Sequence, residues 1–313
     1  MLGAANRDED RYPAFGDPDW DTIIQARGVV ASPPGDLRMS LFDAFRFDGK
    51  RVLVVGGATG MGAAAAELAL EAGAEVVVMD YAKVPLGGVK AIRLDLAQKA
   101  SIDAAVDGCG GPVHALLACA GVADGTPGIE KINYIGHRHL IDRMLRAGML
   151  GRGAAIGFIS SAAGLGWEKN LSELQELLDT PDFDDAVAWV QKHDKANYFW
   201  MKQAVCAYVS SQAFTMLKRG IRINAICPGP TDTPLAQANK DVWLAFGADY
   251  RKEAGIETST PMEQAYPLLF LCSDAAVGIN GITLITDAGY MMSGITGSFP
   301  NATMMAKVLM GRT

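Results

Sequence analysis

Short runs of β-branched and other apolar residues alternate with longer stretches rich in alanine and leucine between about residues 51 and 290. The short runs predict seven strands, over residues 52–55, 75–79, 91–94, 115–118, 154–159, 221–226 and 283–286. Helical segments are predicted between them, the clearest over residues 61–72, 101–106, 132–147 and 261–272. This alternation predicts an α/β fold, a doubly wound, mostly parallel seven-stranded sheet with helices on both faces.

The two ends of the chain depart from this alternation. Residues 1–46 show no sustained periodicity, and we interpret them as an N-terminal arm; an alternative is that translation begins at Met39. Residues 47–294 are predicted to form a single domain. Residues 295–313 form an apolar C-terminal tail, which could cover either this chain's own functional site or a neighbour's.

Composition narrows the class of protein. The net charge is −7 and lysine and arginine form no cluster, which argues against a nucleic-acid partner. No run of about 18 apolar residues occurs, so we expect no membrane-spanning helix. The five cysteines lie mostly in apolar runs without a Cys-x-x-Cys pair. They are typical of buried thiols in a reducing cytoplasm, and we expect no metal site.

The first predicted strand leads through a glycine-rich turn directly into the first helix. Glycine allows a tight turn and close approach of a pyrophosphate, and the helix N-terminus offers free amides and a partial positive charge. The turn therefore predicts a dinucleotide site. The residues that we expect to contact the dinucleotide here are Gly56, Gly57, Thr59, Gly60, Met61 and Gly62.

Acidic residues follow the second and third predicted strands. Asp80 ends the second strand, where a carboxylate can accept both hydroxyl protons of an adenosine ribose and repel a 2′-phosphate. This placement favours NAD over NADP. Asp95 and Leu96 follow the third strand, where they can contact an adenine edge, although a solvated turn explains Asp95 nearly as well.

Tyr198 and Lys202 lie four residues apart in a segment that reads as helix. Residues i and i+4 share a helix face, so the ammonium group should lie beside the phenol. A neighbouring cation lowers the pKa of a tyrosine and makes it a usable proton carrier. Tyr198 is also the only tyrosine in the chain that is followed by a lysine four residues later.

Together with four further motifs, these residues make the segment of about 50–289 resemble the short-chain dehydrogenase/reductase family. Gly121 ends Ala-Cys-Ala-Gly, Asn133 lies in Ile-Asn-Tyr-Ile-Gly, and Ser161 lies in Phe-Ile-Ser-Ser-Ala-Ala-Gly. A loop that resembles the family's nicotinamide-side segment contains Pro228, Gly229, Thr231 and Thr233. The resemblance implies an NAD(H)-dependent oxidoreductase with cofactor contacts from these loops and from Tyr198 and Lys202.

The resemblance also implies roles for four catalytic residues. Tyr198 exchanges the proton of a substrate alcohol, and Ser161 hydrogen-bonds the substrate oxygen. Lys202 binds the nicotinamide ribose and lowers the pKa of Tyr198, while Asn133 holds a water that relays the proton to solvent. Ser160 is the rival of Ser161, but neighbouring strand residues face opposite ways, so only one can face the cofactor.

The separation of Ser161 and Tyr198, 198 − 161 = 37 positions, is longer than is usual in the family. Residues 167–195 therefore form an insertion with the pattern of two short amphipathic helices. Since the insertion leaves the serine strand and returns to the tyrosine helix, we expect a substrate lid. The alternatives are an oligomer contact and surface decoration.

The layout most resembles the bacterial 3α-hydroxysteroid dehydrogenase/carbonyl reductase branch of the family. That likeness implies a bulky apolar alcohol or ketone, steroid- or terpenoid-like, as substrate, and a homodimer or homotetramer as assembly. The segment after Thr233 is a candidate for a mobile apolar wall. Two alternatives remain: a reductase of quinones or acyl thioesters, and a catalytically silent regulator that senses NAD.

Overall fold

A parallel sheet of seven strands forms the centre of the structure, a computed structural model that describes residues 40–312. The strands are β1 (Arg51–Val55), β2 (Glu75–Asp80), β3 (Lys90–Arg93), β4 (Val113–Ala118), β5 (Leu150–Ile159), β6 (Arg222–Pro228) and β7 (Thr283–Thr286). Their order is β3-β2-β1-β4-β5-β6-β7, and every neighbouring pair is parallel. The predicted fold is confirmed. The N-terminal arm up to Met39 lies outside the described residues.

Helices cover both faces of this sheet. The longer ones are α1 (Gly60–Glu71), α2 (Lys99–Cys109), α3 (Gly136–Arg146), α4 (Leu171–Leu178), α5 (Phe183–Lys192) and α6 (Tyr198–Lys218). After β6 follow α7 (Pro234–Gln237), α8 (Lys240–Trp243), α9 (Ala248–Ala254), α10 (Pro261–Cys272), α11 (Tyr290–Thr296) and α12 (Thr303–Leu309). A single π-helical turn, Lys131–Ile135, leads into α3. No helix within residues 40–312 is long and apolar enough to cross a membrane.

Alternate residues of the strands divide the apolar core into two layers. Leu53 and Val55 of β1 point into the layer that contains α2, α3 and α6, whereas Val52 and Val54 point into the layer of α1 and α10. All four side chains are fully buried. Burial on both faces explains why the strands read as continuous apolar runs rather than as an alternating pattern.

The strand order reverses beside β1, because β2 and β3 extend to one side of it and β4 to β7 to the other. At such a switch point the loops that leave β1 and β4 diverge and open a crevice at the carboxyl ends of the strands. Two turns border this crevice: the glycine-rich turn after β1 and the Ala-Cys-Ala-Gly turn after β4. The topology thus brings together segments that are far apart in the sequence.

The insertion forms the two predicted helices, α4 and α5, but its apolar face packs into the protein core. Five side chains on this face are at most 6% exposed: Leu174, Leu177, Phe183, Ala186 and Val190. They join the core layer of α3 and α6. The buried guanidinium of Arg138 in α3 donates hydrogen bonds to the carbonyl oxygens of Leu177 (3.2 Å) and Thr180 (2.7 Å), which end α4. The insertion is therefore anchored to the side of α3 and α6.

The C-terminal tail folds back on its own chain. Gly294 in α11 approaches α12 so closely that a Cβ atom there would lie 2.6 Å from the Cβ atom of Ala306. Gly311 packs against Gly166, which follows β5, and a Cβ atom on Gly166 would lie 2.6 Å from the Gly311 nitrogen. Of the two alternatives for the tail, the structure displays the contact with this chain's own site, because Met305 and Leu309 line a cavity beside Tyr198.

Candidate active site

The crevice at the switch point contains a cavity of about 570 Å³. Its floor is the turn after β1, where Gly56 has a φ of +86°. A Cβ atom on Gly56 would lie 2.4 Å from the backbone nitrogen of Ala120, and one on Gly62 would lie 2.0 Å from the Gly56 carbonyl oxygen. Only glycine fits at these two positions, because Gly56 touches the backbone of the turn after β4 and Gly62 touches the backbone of its own turn.

The first helix begins at this turn. Its N-cap residue, Thr59, makes no side-chain capping hydrogen bond, so the first-turn amides of α1 keep their capacity to bind an anion. Thr59, Gly60, Met61 and Gly62 all line the cavity. Gly57 does not, since it is buried and a Cβ atom there would meet Val78 at 2.6 Å. Gly57 therefore does not face the cavity in which we expected it to contact a dinucleotide. Its missing side chain instead allows the turn to pack against Val78 of β2.

Asp80 lies at the far end of the cavity, where β2 ends. Its two carboxylate oxygens accept backbone hydrogen bonds from Ala58 (2.8 Å) and Ala82 (2.7 Å). Each carboxylate oxygen can accept a second hydrogen bond, so Asp80 can still bind a diol. Asp95 and Leu96 line the same cavity. The Asp95 carboxylate also accepts a hydrogen bond from the Ala97 amide, as a turn residue does.

A second cavity of about 330 Å³ adjoins the first. Both are lined by Met61, Cys119, Gly121, Thr233 and Leu235, so the two spaces meet at the ends of β1 and β4. The predicted site residues that line the second cavity are Met61, Gly121, Ser161, Tyr198, Lys202, Pro228, Gly229, Thr231 and Thr233. A cofactor whose adenosine end lies at Asp80 can thus extend towards a substrate that contacts Tyr198.

Lys202 is buried at the junction of β5 and α6, with 4% of its surface exposed. Its ammonium group donates a hydrogen bond to the carbonyl oxygen of Ile159, the last residue of β5, at 2.9 Å. Burial lowers the pKa of Lys202 to about 8. The ammonium nitrogen lies 5.5 Å from the centre of the Tyr198 ring, so the predicted proximity of the two groups is observed.

Tyr198 presents its ring to the cavity as the first residue of α6. Burial raises the pKa of Tyr198 to about 12, and a hydrogen bond with the Ser161 side chain acts in the opposite direction. The expectation that Lys202 lowers this pKa beside a bound nicotinamide stays a prediction, but the net shift in the protein alone is upward. The physical reason is that loss of solvent around the phenol outweighs the stabilisation of its anion.

The two serines at the end of β5 point in different directions. The hydroxyl of Ser160 donates to the backbone carbonyl oxygen of Lys202 at 2.9 Å and accepts a hydrogen bond from the Cys206 thiol at 3.2 Å. Ser160 also lines the second cavity, but these two contacts engage its hydroxyl. The hydroxyl of Ser161 accepts from the Ala163 amide at 3.1 Å and is a hydrogen-bond partner of Tyr198. The geometry thus favours Ser161 over Ser160, as the sequence predicted.

Asn133 lies behind the cavities in the π-helical turn and is 2% exposed. Its side chain accepts a hydrogen bond from the Val122 amide (2.8 Å) and donates one to the Val122 carbonyl oxygen (3.0 Å). Both side-chain atoms are therefore used to hold the turn that follows Gly121. Asn133 supports the wall of the crevice and lines neither cavity.

The cover of the second cavity comes from two segments outside the insertion. The α7–α8 segment supplies Leu235, Val242 and Trp243, and the Trp243 and Tyr198 ring centres are 4.9 Å apart. The tail supplies Met305 and Leu309 from α12. Residues 167–195, all within the described part of the chain, line neither cavity. The cavity is therefore covered by α7, α8 and α12 and not by the insertion that was expected to form a substrate lid. The apolar face of the insertion packs into the core instead.

Two family models match the chain. The one described as short chain dehydrogenase matches residues 50–172, and the one described as Enoyl-(Acyl carrier protein) reductase matches residues 184–291. Together they span the glycine-rich turn, both core layers and the tyrosine helix. Residues 173–183 of the insertion lie between the two matches, and residues 1–49 and 292–313 lie outside them.

Characterised relatives align over nearly their whole lengths. Cis-4-hydroxycyclohexanecarboxylate dehydrogenase of Sinomonas cyclohexanicum is 32% identical over 256 residues, which cover 77% of this chain and 96% of that protein. 3-alpha-hydroxysteroid dehydrogenase/carbonyl reductase of Comamonas testosteroni is 28% identical over 249 residues, 76% and 95% of the two chains. The solved 3-alpha-hydroxysteroid dehydrogenase from Pseudomonas sp. B-0831, complexed with NADH, has a TM-score of 0.64 at 27% identity, covering 80% of this chain and 99% of that one.

We predict that Gly62→Ala abolishes tight binding of NADH and lowers the melting temperature. The added methyl group would overlap the Gly56 carbonyl oxygen, so the turn must open. Fluorescence titration with NADH and thermal unfolding measure the two effects. Gly87→Ala is the matched control, since Gly87 has no neighbour within 4 Å of an added Cβ atom. Equal NADH affinity in the two variants would contradict the assignment of the glycine-rich turn after β1 as the dinucleotide site.

Proposed function

Because the chain belongs to the short-chain dehydrogenase/reductase family, we propose that it interconverts a secondary alcohol and a ketone on a bulky apolar substrate, with NAD(H) as cofactor. The observation that carries the proposal is the meeting of Tyr198 and Ser161 at an apolar cavity that opens into the glycine-lined crevice. When bound, the nicotinamide supplies the hydride acceptor or donor. The residues of this chain supply the proton transfer, the orientation and the exclusion of water.

Tyr198 is the proposed acid and base. Its raised pKa keeps the phenol protonated at neutral pH, the form that donates a proton to a ketone oxygen. In alcohol oxidation the phenolate form takes the hydroxyl proton from the substrate oxygen. Ser161 lies beside the phenol and would hydrogen-bond the same oxygen, so negative charge that develops there is stabilised.

Lys202 and Asn133 are proposed to support this proton transfer. The ammonium group of Lys202 retains donors beyond the one that Ile159 accepts, and these would hold the ribose hydroxyls of the nicotinamide nucleotide. Asn133 holds the turn at Val122, and we propose that a water beside it relays protons between Lys202 and solvent. Thr231 and Thr233 would bind the carboxamide end, since both lie on the loop after β6 that lines the second cavity.

The lining of the second cavity supports an uncharged, apolar substrate. Lys202 carries the only charge among the residues that line it. Trp243, Phe246, Met305 and Leu309 supply apolar surface from the open side. A ring system of the terpenoid or steroid kind suits such a surface, because its apolar area leaves water while its single oxygen reaches Ser161 and Tyr198.

We propose a cytoplasmic homodimer or homotetramer as the working form.

We expect Tyr198→Phe to lose turnover by at least about a hundredfold while it retains NADH binding, since the substitution removes only the transferable proton. Steady-state kinetics with a panel of cyclic ketones and an NADH titration measure both properties. Tyr266→Phe, on the exposed face of α10, is the control. Undiminished turnover in Tyr198→Phe would rule out the mechanism, and NADH binding without turnover in the native protein would favour a regulator instead.

We predict that the protein binds NADH at least about tenfold more tightly than NADPH, a difference of about 1.4 kcal/mol. The carboxylate of Asp80 would face the 2′-phosphate and repel it. Asp80→Asn keeps the shape but removes the charge, so it should narrow the ratio of the two dissociation constants. Asp107→Asn, on the exposed end of α2, should leave the ratio unchanged. A native preference for NADPH would overturn the role given to Asp80.

A matched pair of substrates tests the apolar cavity. We expect 4-methylcyclohexanol to be oxidised with a kcat/KM at least about tenfold higher than that of 4-hydroxycyclohexanecarboxylate, because burying a carboxylate without a partner is costly. Initial rates of NADH formation measure both. Equal or faster oxidation of the carboxylate would contradict the proposed preference for an uncharged, apolar substrate.

A further inference from the structure

Asp124 connects the wall of the cofactor crevice to the proposed acid and base. It follows Gly121 and Val122, which line the crevice, and precedes Thr126 and Pro127, which line it too. Its Oδ1 atom accepts a hydrogen bond of 2.6 Å from the backbone N–H group of Tyr198, 74 residues further along the chain. No motif in the sequence marks Asp124, since the contact exists only in the folded chain.

This contact satisfies the very start of the tyrosine helix. Tyr198 is the first residue of α6, and its amide has no partner within the helix. Asn197 caps the same turn by accepting a hydrogen bond from the Trp200 amide at 3.0 Å. Asp124 therefore supplies the remaining acceptor for Tyr198, and its negative charge suits the positive end of the helix dipole.

We propose that Asp124 is a positioning residue for the proton transfer: its hydrogen bond holds the Tyr198 backbone at the crevice wall and places a carboxylate at the first turn of the tyrosine helix. The inference rests on the proposed function and extends it, because it gives the loop that borders the cofactor a part in positioning Tyr198. A loop that holds both the cofactor crevice and the tyrosine ties the position of one to the position of the other.

The groups around Tyr198 show why the charge of Asp124 is distinctive. Burial is the main cause of the raised pKa of Tyr198; among its neighbours, Asp124 and Cys227 raise that pKa and Ser161 lowers it. The pKa of Cys227 is itself raised well above its usual range by a hydrogen bond with Cys206 and by burial, so this thiol is neutral. The cation of Lys202 lies 5.5 Å from the ring centre. Asp124 is thus the one carboxylate of the set.

Two substitutions separate the hydrogen bond from the charge. Asp124→Asn keeps an oxygen that can accept from the Tyr198 amide, so we expect kcat at high pH to change less than about twofold. Loss of the charge should shift the rise of alcohol oxidation with pH a few tenths of a unit lower. Asp124→Ala removes the acceptor as well, and we expect kcat to fall about tenfold, the value of a lost charge-assisted hydrogen bond. Asp182→Asn, which alters an N-cap carboxylate on α5, should match the native profile.

Direct titration of Tyr198 keeps this test independent of turnover. NMR of protein labelled at tyrosine Cζ, with Tyr198→Phe to identify the resonance, should show a lower pKa in Asp124→Asn. Native-like pH profiles and an unchanged tyrosine titration in Asp124→Asn would overturn the electrostatic link, and full kcat in a folded Asp124→Ala would overturn the positioning role. If the native protein turns over no alcohol or ketone but the titration shifts, the proposed function fails while the link to Asp124 stands.

Discussion

The arrangement of the site depends on a lysine that is buried without a carboxylate partner. Lys202 donates to the carbonyl oxygen of Ile159, and its own carbonyl accepts from Ser160, so two hydrogen bonds join α6 to the end of β5. Burying an ammonium group is unfavourable, and the lowered pKa of Lys202 expresses that cost. In return, the junction places Tyr198 beside Ser161. The distance of the two residues in the sequence then no longer matters for their distance in space.

This junction explains how the chain accommodates an insertion between its serine and its tyrosine. The chain leaves after Ser161, forms α4 and α5, and returns at Asn197 to start α6. Arg138 ties the end of α4 to α3, and the leucines of α4 join the existing core. The insertion thus adds apolar contacts beside α6 without entering the cavity. Its burial in the core layer of α3 and α6 adds apolar support beside the tyrosine helix.

The sequence predicted the fold more completely than the surroundings of the site. All seven strands and both insertion helices were predictable, because burial on two faces leaves continuous apolar runs in the strands and burial on one face leaves a helical period in the insertion. The glycines at 56 and 62 were predictable because their backbones must touch other backbone atoms. The spacing of Leu174 and Leu177 predicts which face of the helix is buried but not which elements it packs against. The face packs against the core layer of α3 and α6, whereas the sequence alone predicts a substrate lid. The pKa of Tyr198 depends on how much solvent the fold removes, which no spacing encodes.

The elements that surround the substrate cavity differ in how firmly they are held. Ser161 follows β5, an interior strand of the sheet, and Tyr198 and Lys202 belong to a helix of 21 residues. The cover, in contrast, consists of a single turn that carries Trp243 and a short terminal helix that carries Met305. Val242 and Met304, beside these two residues, are 72% and 80% exposed, so few contacts hold the cover in place. Fewer buried contacts mean a lower free energy for local opening. Chemistry is thus assigned to the rigid part of the molecule, and entry and selection of the substrate to the part that can open.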